Sequence, residues 1–358
     1  AETMAVHGPD SYIGILVSTF FGSTETTFYV LAVYFGAVNV KNTRHALPAG
    51  LLADVAGMLG ALFIVKLLFG WWMKIFITRH IPEIGIEFLR KKGFIVSVYK
   101  EDKPIPKTEL KKSVKNCDGL ISLLSDKIDK EVIDAMEKCR VIANYAVGFN
   151  NIDVEYAKSR GIIVTNTPDV LTDSTADLTM ALVLSCARRI SESEKLVRDK
   201  KFVGWKPKLL LGLELRDKYF GILGAGRIGT EVAKRAHSFG CKIIYYSNNK
   251  NDYLEKKLNA KKLSLTEILK KSDIISLHLP LNSKTKNLLS EEKLKLLNPS
   301  AILINTARGE VLDEKYLIKM LKQNKIYAAG FDVYQNEPDL YKELYKLKNV
   351  VLLPHIGS

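Results

Sequence analysis

Cysteine is scarce in this sequence of 358 residues, and so are the patterns in which cysteine binds metals. The four cysteines show neither a C-x-x-C pair nor a metal-ligand spacing. This excludes a disulfide scaffold and a zinc site of the usual kind. It predicts free thiols in a reducing compartment, and therefore a cytoplasmic protein without a bound metal. The cysteines are Cys117, Cys139, Cys186 and Cys241.

A basic stripe with interleaved aromatic residues, which would indicate nucleic-acid binding, is also missing, although the formal net charge is +14. The lysines are scattered through helical patterns, as in Lys256-Lys257, which is typical of a solvated surface. We therefore expect no nucleic-acid partner. The positive charge can still attract anionic substrates and cofactors. The length leaves room for two domains with hydrophobic cores.

Basic residues are rare in residues 1–72, which contain three of them and two long apolar runs. The run Leu47–Trp72 is long enough for one membrane span, and it ends in a tryptophan pair of the kind found at membrane interfaces. The run Tyr12–Val38 is interrupted by polar residues at 22–27, which predicts a broken or re-entrant helix. Residues 1–72 are therefore interpreted as an apolar, membrane-type segment through which the chain can associate with a membrane.

The stretch GSTETTFYVLAVYFGAV, followed by KNTRHALPAGLLAD, closely resembles the C-terminal end of spore maturation protein B. That family consists of membrane proteins with nucleoside-recognition gate domains. The resemblance covers residues 4–70, which is only part of such a protein. One interpretation of the whole chain therefore stays open. In it, residues 1–72 are the remnant of a nucleoside-gate membrane protein, and the remaining residues are fused to that remnant.

From Met73 onward strand and helix patterns alternate, which predicts parallel α/β layers. A long helical pattern from Ser174 to Ser191, with Leu178, Ala181, Leu182 and Cys186 on one face, is suited to connect two domains. The strands that follow predict a doubly wound sheet with ligands at the carboxyl ends of its strands. Strands are expected at 73–78, 94–99, 119–124, 141–145, 219–223, 243–246, 274–279, 301–305, 328–333 and 350–353.

A glycine-rich turn, Gly224-Ala225-Gly226-Arg227-Ile228-Gly229, stands between a strand pattern and a helical pattern that ends at Gly240. In this context G-x-G-x-x-G is the turn that binds a dinucleotide. The first glycine allows the tight turn, the second lets the backbone approach a pyrophosphate, and the third lets the helix pack on the strand. The helix N-terminus then holds the pyrophosphate charge.

A carboxylate is missing at the end of the next strand, where an NAD-binding protein would hold the ribose diol of the adenosine. The residues there are Ser247, Asn248, Asn249 and Lys250, which offer neutral donors and one cation. They favour NADP, or the use of both cofactors, over NAD alone.

Three ionisable residues follow strands in the second half of the chain: Arg308, Glu337 and His355. Reduction of a ketone by hydride needs a proton donor at the carbonyl oxygen, and histidine suits this role. A guanidinium can bind the carboxylate of a 2-oxo acid through two hydrogen bonds and polarise its carbonyl. Together the three residues predict a hydride-transfer site for a 2-oxo acid.

Residues 73–358 resemble the D-isomer-specific 2-hydroxyacid dehydrogenases, most closely the branch of glyoxylate and hydroxypyruvate reductases. The segments that carry the resemblance are ANYAVGFNNID (143–153), TNTPDVLTDSTADL (165–178), GWKPKLLLG (204–212), GILGAGRIG (221–229), LHLPLNSKT (277–285), INTARGEVLD (304–313), AAGFDVYQNEP (328–338) and LLPHIGS (352–358). The resemblance implies a flavodoxin-like substrate domain at 73–170 and an NAD(P)-binding Rossmann domain at 171–358. It also implies a homodimer, with the loop of Trp205 reaching toward the partner.

The resemblance assigns roles to individual residues. His355 matches the general acid/base, Glu337 its paired acid, and Arg308 the substrate-binding arginine. The backbone N–H groups of Val147 and Gly148 match the loop that holds the substrate carboxylate. The remaining matches are cofactor-binding: the glycine turn, Leu279 and Pro280, Thr306 and Ala307 beneath the nicotinamide, Asp332 near its carboxamide, and Gly357.

Members of the family continue for a few tens of residues beyond the match to Ser358 and return a helix to the substrate domain. We therefore expect the chain to be a fragment that lacks this return helix, with weak or absent turnover. A dinucleotide-sensing binding protein of the same fold is the alternative to an enzyme that reduces glyoxylate or hydroxypyruvate.

Overall fold

The computed structural model describes residues 12–24, 33, 37, 45–69 and 73–357. Its contacts divide the chain into two units, Ala1–Asn166 and Thr167–Ser358. The sequence places the boundary slightly later, between residues 170 and 171. Within the second unit, Asp169 Oδ1, in the segment before residue 171, pairs with Arg227 Nε at 2.7 Å.

Two helices represent the apolar segment, α1 (Tyr12–Thr24) and α2 (Ala46–Phe69). Within α2, Leu47–Val65 is long and apolar enough to cross a membrane, judged by length and composition. The hydroxyls of Ser18 and Thr19 in α1 donate to the carbonyls of Gly14 and Ile15, so these polar side chains are accommodated inside the helix. The rest of the expected polar interruption, residues 25–27, and the tryptophan pair at 71–72 lie outside the described residues.

The first unit contains a parallel sheet of five strands in the order β2-β1-β3-β4-β5. This order is the one found in flavodoxin-like folds. Its apolar residues face helices that cover the sheet, and Ile77, Leu120 and Ile142 are fully or almost fully buried. The strands are β1 (Lys74–Ile77), β2 (Ile95–Val98), β3 (Gly119–Ser122), β4 (Val141–Asn144) and β5 (Ile163–Thr165), and the helices are α3 (Glu83–Lys91), α4 (Lys107–Val114), α5 (Lys130–Asp134) and α6 (Val154–Ser159).

The second unit contains a parallel sheet of seven strands in the order β12-β11-β10-β9-β6-β7-β8, which confirms the predicted doubly wound architecture. The chain starts in the middle of this sheet at β6, builds outward to β8, and then returns through β9 on the other side of β6. The strands are β6 (Tyr219–Leu223), β7 (Lys242–Tyr246), β8 (Lys261–Lys262), β9 (Ile274–Leu277), β10 (Ile302–Asn305), β11 (Ala328–Phe331) and β12 (Val350–Leu352).

Helices cover both faces of this sheet, so the central strands are buried on both sides. In the sequence these strands are therefore nearly continuous runs of apolar residues. In β10, Ile302 and Ile304 pack in one core cluster and Leu303 in the other. The helices are α7 (Thr172–Ala187), α8 (Ile190–Arg198), α9 (Arg227–Ser238), α10 (Asp252–Leu258), α11 (Leu265–Lys271), α12 (Glu291–Leu294) and α13 (Glu314–Lys322), with 3-10 turns at Gly309–Val311 and Leu344–Lys346.

The single helix expected over 174–191 is two helices, which corrects the sequence-based expectation. Helix α7 ends because Arg189 adopts the left-handed conformation, with φ of 55°. Arg189 then begins α8: its guanidinium pairs with Glu192 at 2.8 Å, and its carbonyl accepts from the Ser193 hydroxyl. Ala181, expected on the buried face of α7, is exposed, while Met180 and Val183 are buried.

Candidate active site

The predicted site residues of the second unit lie at the carboxyl ends of neighbouring strands. From one side of the sheet to the other, these ends carry His355 after β12, Glu337 after β11, Arg308 after β10, Leu279-Pro280 after β9, the glycine turn after β6, and residues 247–250 after β7. Neighbouring strands are about 4.8 Å apart, so the row spans about 24 Å. The row crosses the point where strand order reverses, which is where such sheets bind dinucleotides.

Three glycines shape the turn after β6, each for a different reason. A Cβ on Gly224, whose φ is 102°, would lie 2.5 Å from the carbonyl oxygen of His278, and a Cβ on Gly229 would lie 2.1 Å from that of Gly224. A Cβ on Gly226 would meet nothing within 4 Å. Gly226 is thus required by no contact within the protein, and it leaves open space at the N-terminus of α9. This fits a pyrophosphate that approaches the backbone there.

The loop after β7 is tied both to the glycine turn and to α10. The Asn251 side-chain amide donates to the Ala225 carbonyl and to the Thr230 hydroxyl, each at 2.9 Å. Glu255 accepts from Lys250 Nζ at 2.9 Å and from Tyr245 OH at 2.7 Å. These bonds hold the pKa of Glu255 below its usual value. Lys250, the one cation at 247–250, is therefore already paired with a carboxylate.

The turn after β10 is closed by Asn305, which is 1% exposed. Its side chain accepts from the Ala307 N–H at 3.0 Å and donates to the Arg308 carbonyl at 2.9 Å. The Thr306 hydroxyl lies 3.0 Å from that of Thr179 on α7. The residues expected beneath a nicotinamide are consequently held from both sides, by the strand and by the helix.

Arg308 leads from this turn toward the loop that carries Glu337. Its Nη1 donates to the Ala307 carbonyl at 2.6 Å. Burial lowers the pKa of Arg308, while the charges of Glu337 and Glu310 act in the opposite direction, and the guanidinium stays charged at neutral pH. A Cβ on Gly309 would lie 2.0 Å from the Tyr334 carbonyl carbon. Only glycine lets the two loops approach this closely.

Glu337 and His355 form the expected acid–histidine pair, with Glu337 Oε2 2.8 Å from His355 Nδ1. The other carboxylate oxygen accepts from the Tyr334 N–H at 2.8 Å. Burial would raise the pKa of Glu337, but the hydrogen bond and charge of His355, with the charge of Arg308, leave it below its usual value. A carboxylate can only accept, so Nδ1 carries the proton and donates, and Nε2 remains for a substrate.

Asp332, expected near the nicotinamide carboxamide, is 1% exposed and directs both oxygens at the backbone that follows His355. The N–H groups of Ile356 and Gly357 donate to Oδ1 and Oδ2, each at 2.8 Å. The Gly357 carbonyl accepts from Thr175 on α7 at 2.6 Å. The turn that presents the imidazole is thus fixed to β11 and to α7.

Val147 and Gly148 lie in the first unit, in the segment that follows β4. The side-chain amide of Asn144 donates to the Gly148 carbonyl at 2.7 Å, and that of Asn166 donates to the Val147 carbonyl at 2.8 Å. The carbonyls of the loop are therefore engaged by asparagines of their own unit. A carboxylate would have to be bound by the N–H groups of this loop, as the resemblance implies.

Sequence reasoning did not identify Asn305, Gly309, Asn251 or Glu314 as parts of the site. Glu314 is 1% exposed and accepts from the Gln335 N–H at 2.8 Å, next to the Glu337 loop. Burial raises the pKa of Glu314. The signal for Asn305 was present in the sequence: an amide that directly follows three buried apolar residues must have an internal hydrogen-bonding role.

Comparison with known proteins identifies several similar dehydrogenases. The family model for the D-isomer specific 2-hydroxyacid dehydrogenase, NAD binding domain, matches residues 180–357. A glyoxylate reductase from Pyrococcus horikoshii is 50% identical over 289 residues, which is 80% of this chain and 86% of that protein.

Two solved structures are similar over the same extent. The NADPH-dependent glyoxylate/hydroxypyruvate reductase of Sinorhizobium meliloti, in complex with NADP and malonate, is 30% identical with a TM-score of 0.72, covering 80% of this chain and 87% of that one. The D-lactate dehydrogenase of Aquifex aeolicus, complexed with NAD and lactic acid, is 29% identical with a TM-score of 0.70, covering 79% of this chain and 88% of that one.

Proposed function

The chain belongs to the family of D-isomer specific 2-hydroxyacid dehydrogenases, and from this premise we propose that it reduces glyoxylate or hydroxypyruvate to the corresponding D-2-hydroxy acid. It is an NAD(P)-dependent dehydrogenase. The observation that carries the proposal is the His355–Glu337 pair, with Arg308 on the neighbouring strand end. The choice of substrate is supported by the glyoxylate reductases among its relatives.

The site residues have distinct roles in the proposed reaction. NADPH or NADH, when bound along the row of strand ends, supplies the hydride. Arg308 binds the carboxylate of the 2-oxo acid and polarises its carbonyl. His355 delivers a proton from Nε2 to the carbonyl oxygen, and Glu337 stabilises the charged imidazole through Nδ1. The resemblance assigns to the N–H groups of Val147 and Gly148, in the first unit, the role of binding a substrate carboxylate.

A substrate panel run with NADH and NADPH side by side tests this proposal, and reduction of glyoxylate at the rate of a full-length relative would overturn the expectation of weak or absent turnover. Glyoxylate and hydroxypyruvate should be reduced faster than pyruvate, and NADPH should be used at least as well as NADH. His355→Asn should lower kcat about 1000-fold, because a general acid contributes about 100- to 10,000-fold, while NADPH binding is unchanged. His237→Asn, an exposed histidine on α9, is the control. Turnover by His355→Asn within tenfold of the unmodified chain would remove His355 from the acid/base role.

We also propose that the protein is a homodimer joined through the second unit. The segment between α8 and β6 exposes large apolar side chains, including Val203 (79%) and Trp205 (82%). An exposed apolar patch of this kind is typical of an interaction surface. Trp205→Ser should shift the mass measured by light scattering from dimer toward monomer. A monomeric mass for the unmodified chain would contradict the dimer.

The helix α2 supports a third proposal, that residues 1–72 attach the enzyme to a membrane. Its segment Leu47–Val65 has the length and composition of a membrane-spanning helix. Fractionation should then find the full chain in membranes, and removal of residues 1–72 should release it without changing kcat. Recovery of the full chain in the soluble fraction would contradict membrane attachment. The resemblance of residues 4–70 to spore maturation protein B stays a prediction.

A further inference from the structure

Two of the four cysteines stand side by side in the first unit, away from the strand ends that carry the proposed chemistry. Strands β3 and β4 pair in parallel, with Gly119 opposite Val141. Cys117 precedes Gly119 by two residues, and Cys139 precedes Val141 by two. The two cysteines therefore continue the same register at the start of both strands.

The backbone shows that the pairing extends back to this position. The Arg140 N–H donates to the Asp118 carbonyl at 2.9 Å, one residue beyond the cysteines and one residue before the pair Gly119 and Val141. Residues two apart on a strand share a face, so both thiols lie on the same side of the sheet. Both side chains belong to one core cluster, and they are 3% and 8% exposed, respectively.

This arrangement satisfies the geometric condition for a disulfide. Adjacent strands are about 4.8 Å apart, and a disulfide needs a Cα separation of about 4.4–6.8 Å. Opposed positions with parallel Cα–Cβ directions can thus be bridged with little backbone movement. The other two cysteines, Cys186 and Cys241, lie in the second unit, where Cys241 donates to the Leu215 carbonyl.

The two thiols differ in reactivity. Interaction of the neighbouring thiols lowers the pKa of Cys139, while the same interaction and burial raise the pKa of Cys117. Cys139 is also the more exposed of the two, and it follows the exposed residues Glu137 and Lys138. Since the thiolate is the nucleophile, Cys139 is the residue that reacts first with an oxidant.

We propose that Cys117 and Cys139 are an oxidation site, at which a hydroperoxide converts the two thiols into a reversible disulfide. The Cys139 thiolate attacks one peroxide oxygen, the O–O bond breaks, and hydroxide or alkoxide leaves, so that Cys139 becomes a sulfenic acid. The Cys117 sulfur then attacks the Cys139 sulfur. The S–O bond breaks, and hydroxide leaves with the Cys117 proton as water. The two sulfurs lose two electrons together, and the peroxide is reduced by two.

The disulfide would stabilise the folded first unit relative to its unfolded state. It closes the segment that contains α5 and joins the starts of two central strands, which restricts the unfolded chain. The loop of Val147 and Gly148 follows the opposite, carboxyl end of β4, and Arg308, Glu337 and His355 belong to the other unit. Oxidation should therefore stabilise the first unit and leave the glyoxylate-reducing activity unchanged, so this inference does not depend on the proposed function.

The test uses the full chain, treated with stoichiometric hydrogen peroxide, blocked with an alkylating reagent and digested with trypsin. Cleavage at Lys127, Lys130 or Lys138 separates the two cysteines, so a disulfide is seen as a linked peptide pair lighter by two hydrogen atoms. Dithiothreitol should abolish the link. The melting temperature of the oxidised protein should exceed that of the reduced protein by about 5 °C or more.

Variants separate this reaction from general oxidation. Cys117→Ala and Cys117→Ser should lose the linked pair and the rise in melting temperature, and should accumulate a sulfenic acid on Cys139 that dimedone traps. Cys241→Ser is the matched control and should behave like the unmodified chain. The proposal is overturned if treated, unmodified protein keeps both thiols alkylatable after denaturation, if Cys139 proceeds to sulfinic acid in the presence of Cys117, or if the Cys117 variants show the same rise.

Discussion

Gly357 lies directly against the Asp332 carboxylate: the Gly357 N–H donates to Asp332 Oδ2 at 2.8 Å, and a Cβ on Gly357 would lie 2.9 Å from the same oxygen. The adjacent Ile356 N–H takes the other oxygen. These bonds hold the turn in which His355 has a φ of 57°, a conformation that is unfavourable for most residues. Asp332 thus positions the imidazole, and Glu337 orients it.

Replacing Asp332 by Asn tests this positioning role. The amide NH₂ would face one of the two backbone N–H donors, so one hydrogen bond to a charged acceptor is lost and one repulsion is added. Such a bond contributes about 1.5–3 kcal/mol, and we expect kcat for glyoxylate to fall about 10- to 100-fold. The control is Asp339→Asn, an exposed carboxylate. Equal kcat for Asp332→Asn and its control would show that the turn holds His355 without the carboxylate.

A pair of glycine substitutions should separate folding from cofactor binding. In Gly309→Ala the new Cβ would meet the Tyr334 backbone at 2.0 Å, so we expect a loss of stability in the second unit, measured by denaturant unfolding. In Gly226→Ala the new Cβ meets no protein atom within 4 Å, so stability should be retained. Its NADPH dissociation constant should rise about tenfold or more, because the methyl occupies the space left for the pyrophosphate. Unchanged NADPH affinity in Gly226→Ala would place the pyrophosphate elsewhere.

Much of the fold of residues 73–357 could be predicted because parallel strands buried on both faces read as apolar runs, as in Ile274–Leu277 and Ile302–Asn305. The glycine turn was recognisable because tight turns restrict residue type. The break at Arg189 was not predictable in the same way, because a left-handed arginine leaves the helical pattern of both flanking segments intact. The two-residue strand Lys261–Lys262 was missed because its lysines carry no apolar pattern.

The site was predictable where chemistry limits the choice of residue and unpredictable where contacts decide. His355, Glu337 and Arg308 follow strands, and the proposed hydride transfer to a 2-oxo acid calls for residues of these types. Asp332 was recognisable as a site residue, but its two bonds to the turn after His355 depend on the packing of β11 beside β12. The role of Gly309 likewise follows only from the approach of two loops that are distant in sequence.

His278 should make the second unit sensitive to acid. It lies after β9 beside the glycine turn, its Nε2 is 2.7 Å from the Ser276 hydroxyl, and burial lowers its pKa to about 3. The unfolded chain binds a proton at this residue below pH ~6.5, whereas the folded chain does not until about pH 3. Stability is therefore lost as the pH falls through this window.

His278→Gln should remove this part of the acid sensitivity. Between pH 7 and pH 5 the free energy of unfolding should fall by up to about 2 kcal/mol less in the variant than in the unmodified chain. Urea unfolding at both pH values measures the difference. His237→Gln, an exposed histidine on α9, should keep the pH dependence of the unmodified chain. Parallel pH profiles for His278→Gln and the unmodified chain would mean that His278 takes up its proton in the folded state.

The pairing of Lys250 with Glu255 leads to a prediction about the choice of cofactor. Lys250 is the cation at the strand end where the adenosine ribose is expected, and the Glu255 carboxylate 2.9 Å away offsets its charge. Glu255→Gln removes that carboxylate and leaves the lysine free to attract a 2′-phosphate. The ratio of kcat/KM for NADPH to that for NADH should rise about three- to fivefold, as expected for a partly exposed ion pair.

Lys250→Gln should change the same ratio in the opposite direction, because the 2′-phosphate then loses its only cationic partner among residues 247–250. Glu291→Gln is the matched control: this carboxylate also pairs with a lysine, Lys295 at 2.7 Å, but it lies on α12 and not on the loop after β7. High salt should reduce the effect of Glu255→Gln, since screening weakens attraction between exposed charges. If Lys250→Gln leaves the NADPH to NADH ratio unchanged, Lys250 does not contact the 2′-phosphate. Any preference for NADPH then comes from another donor, such as Ser247 or Lys262, whose Nζ donates to the Asn248 carbonyl at 2.9 Å.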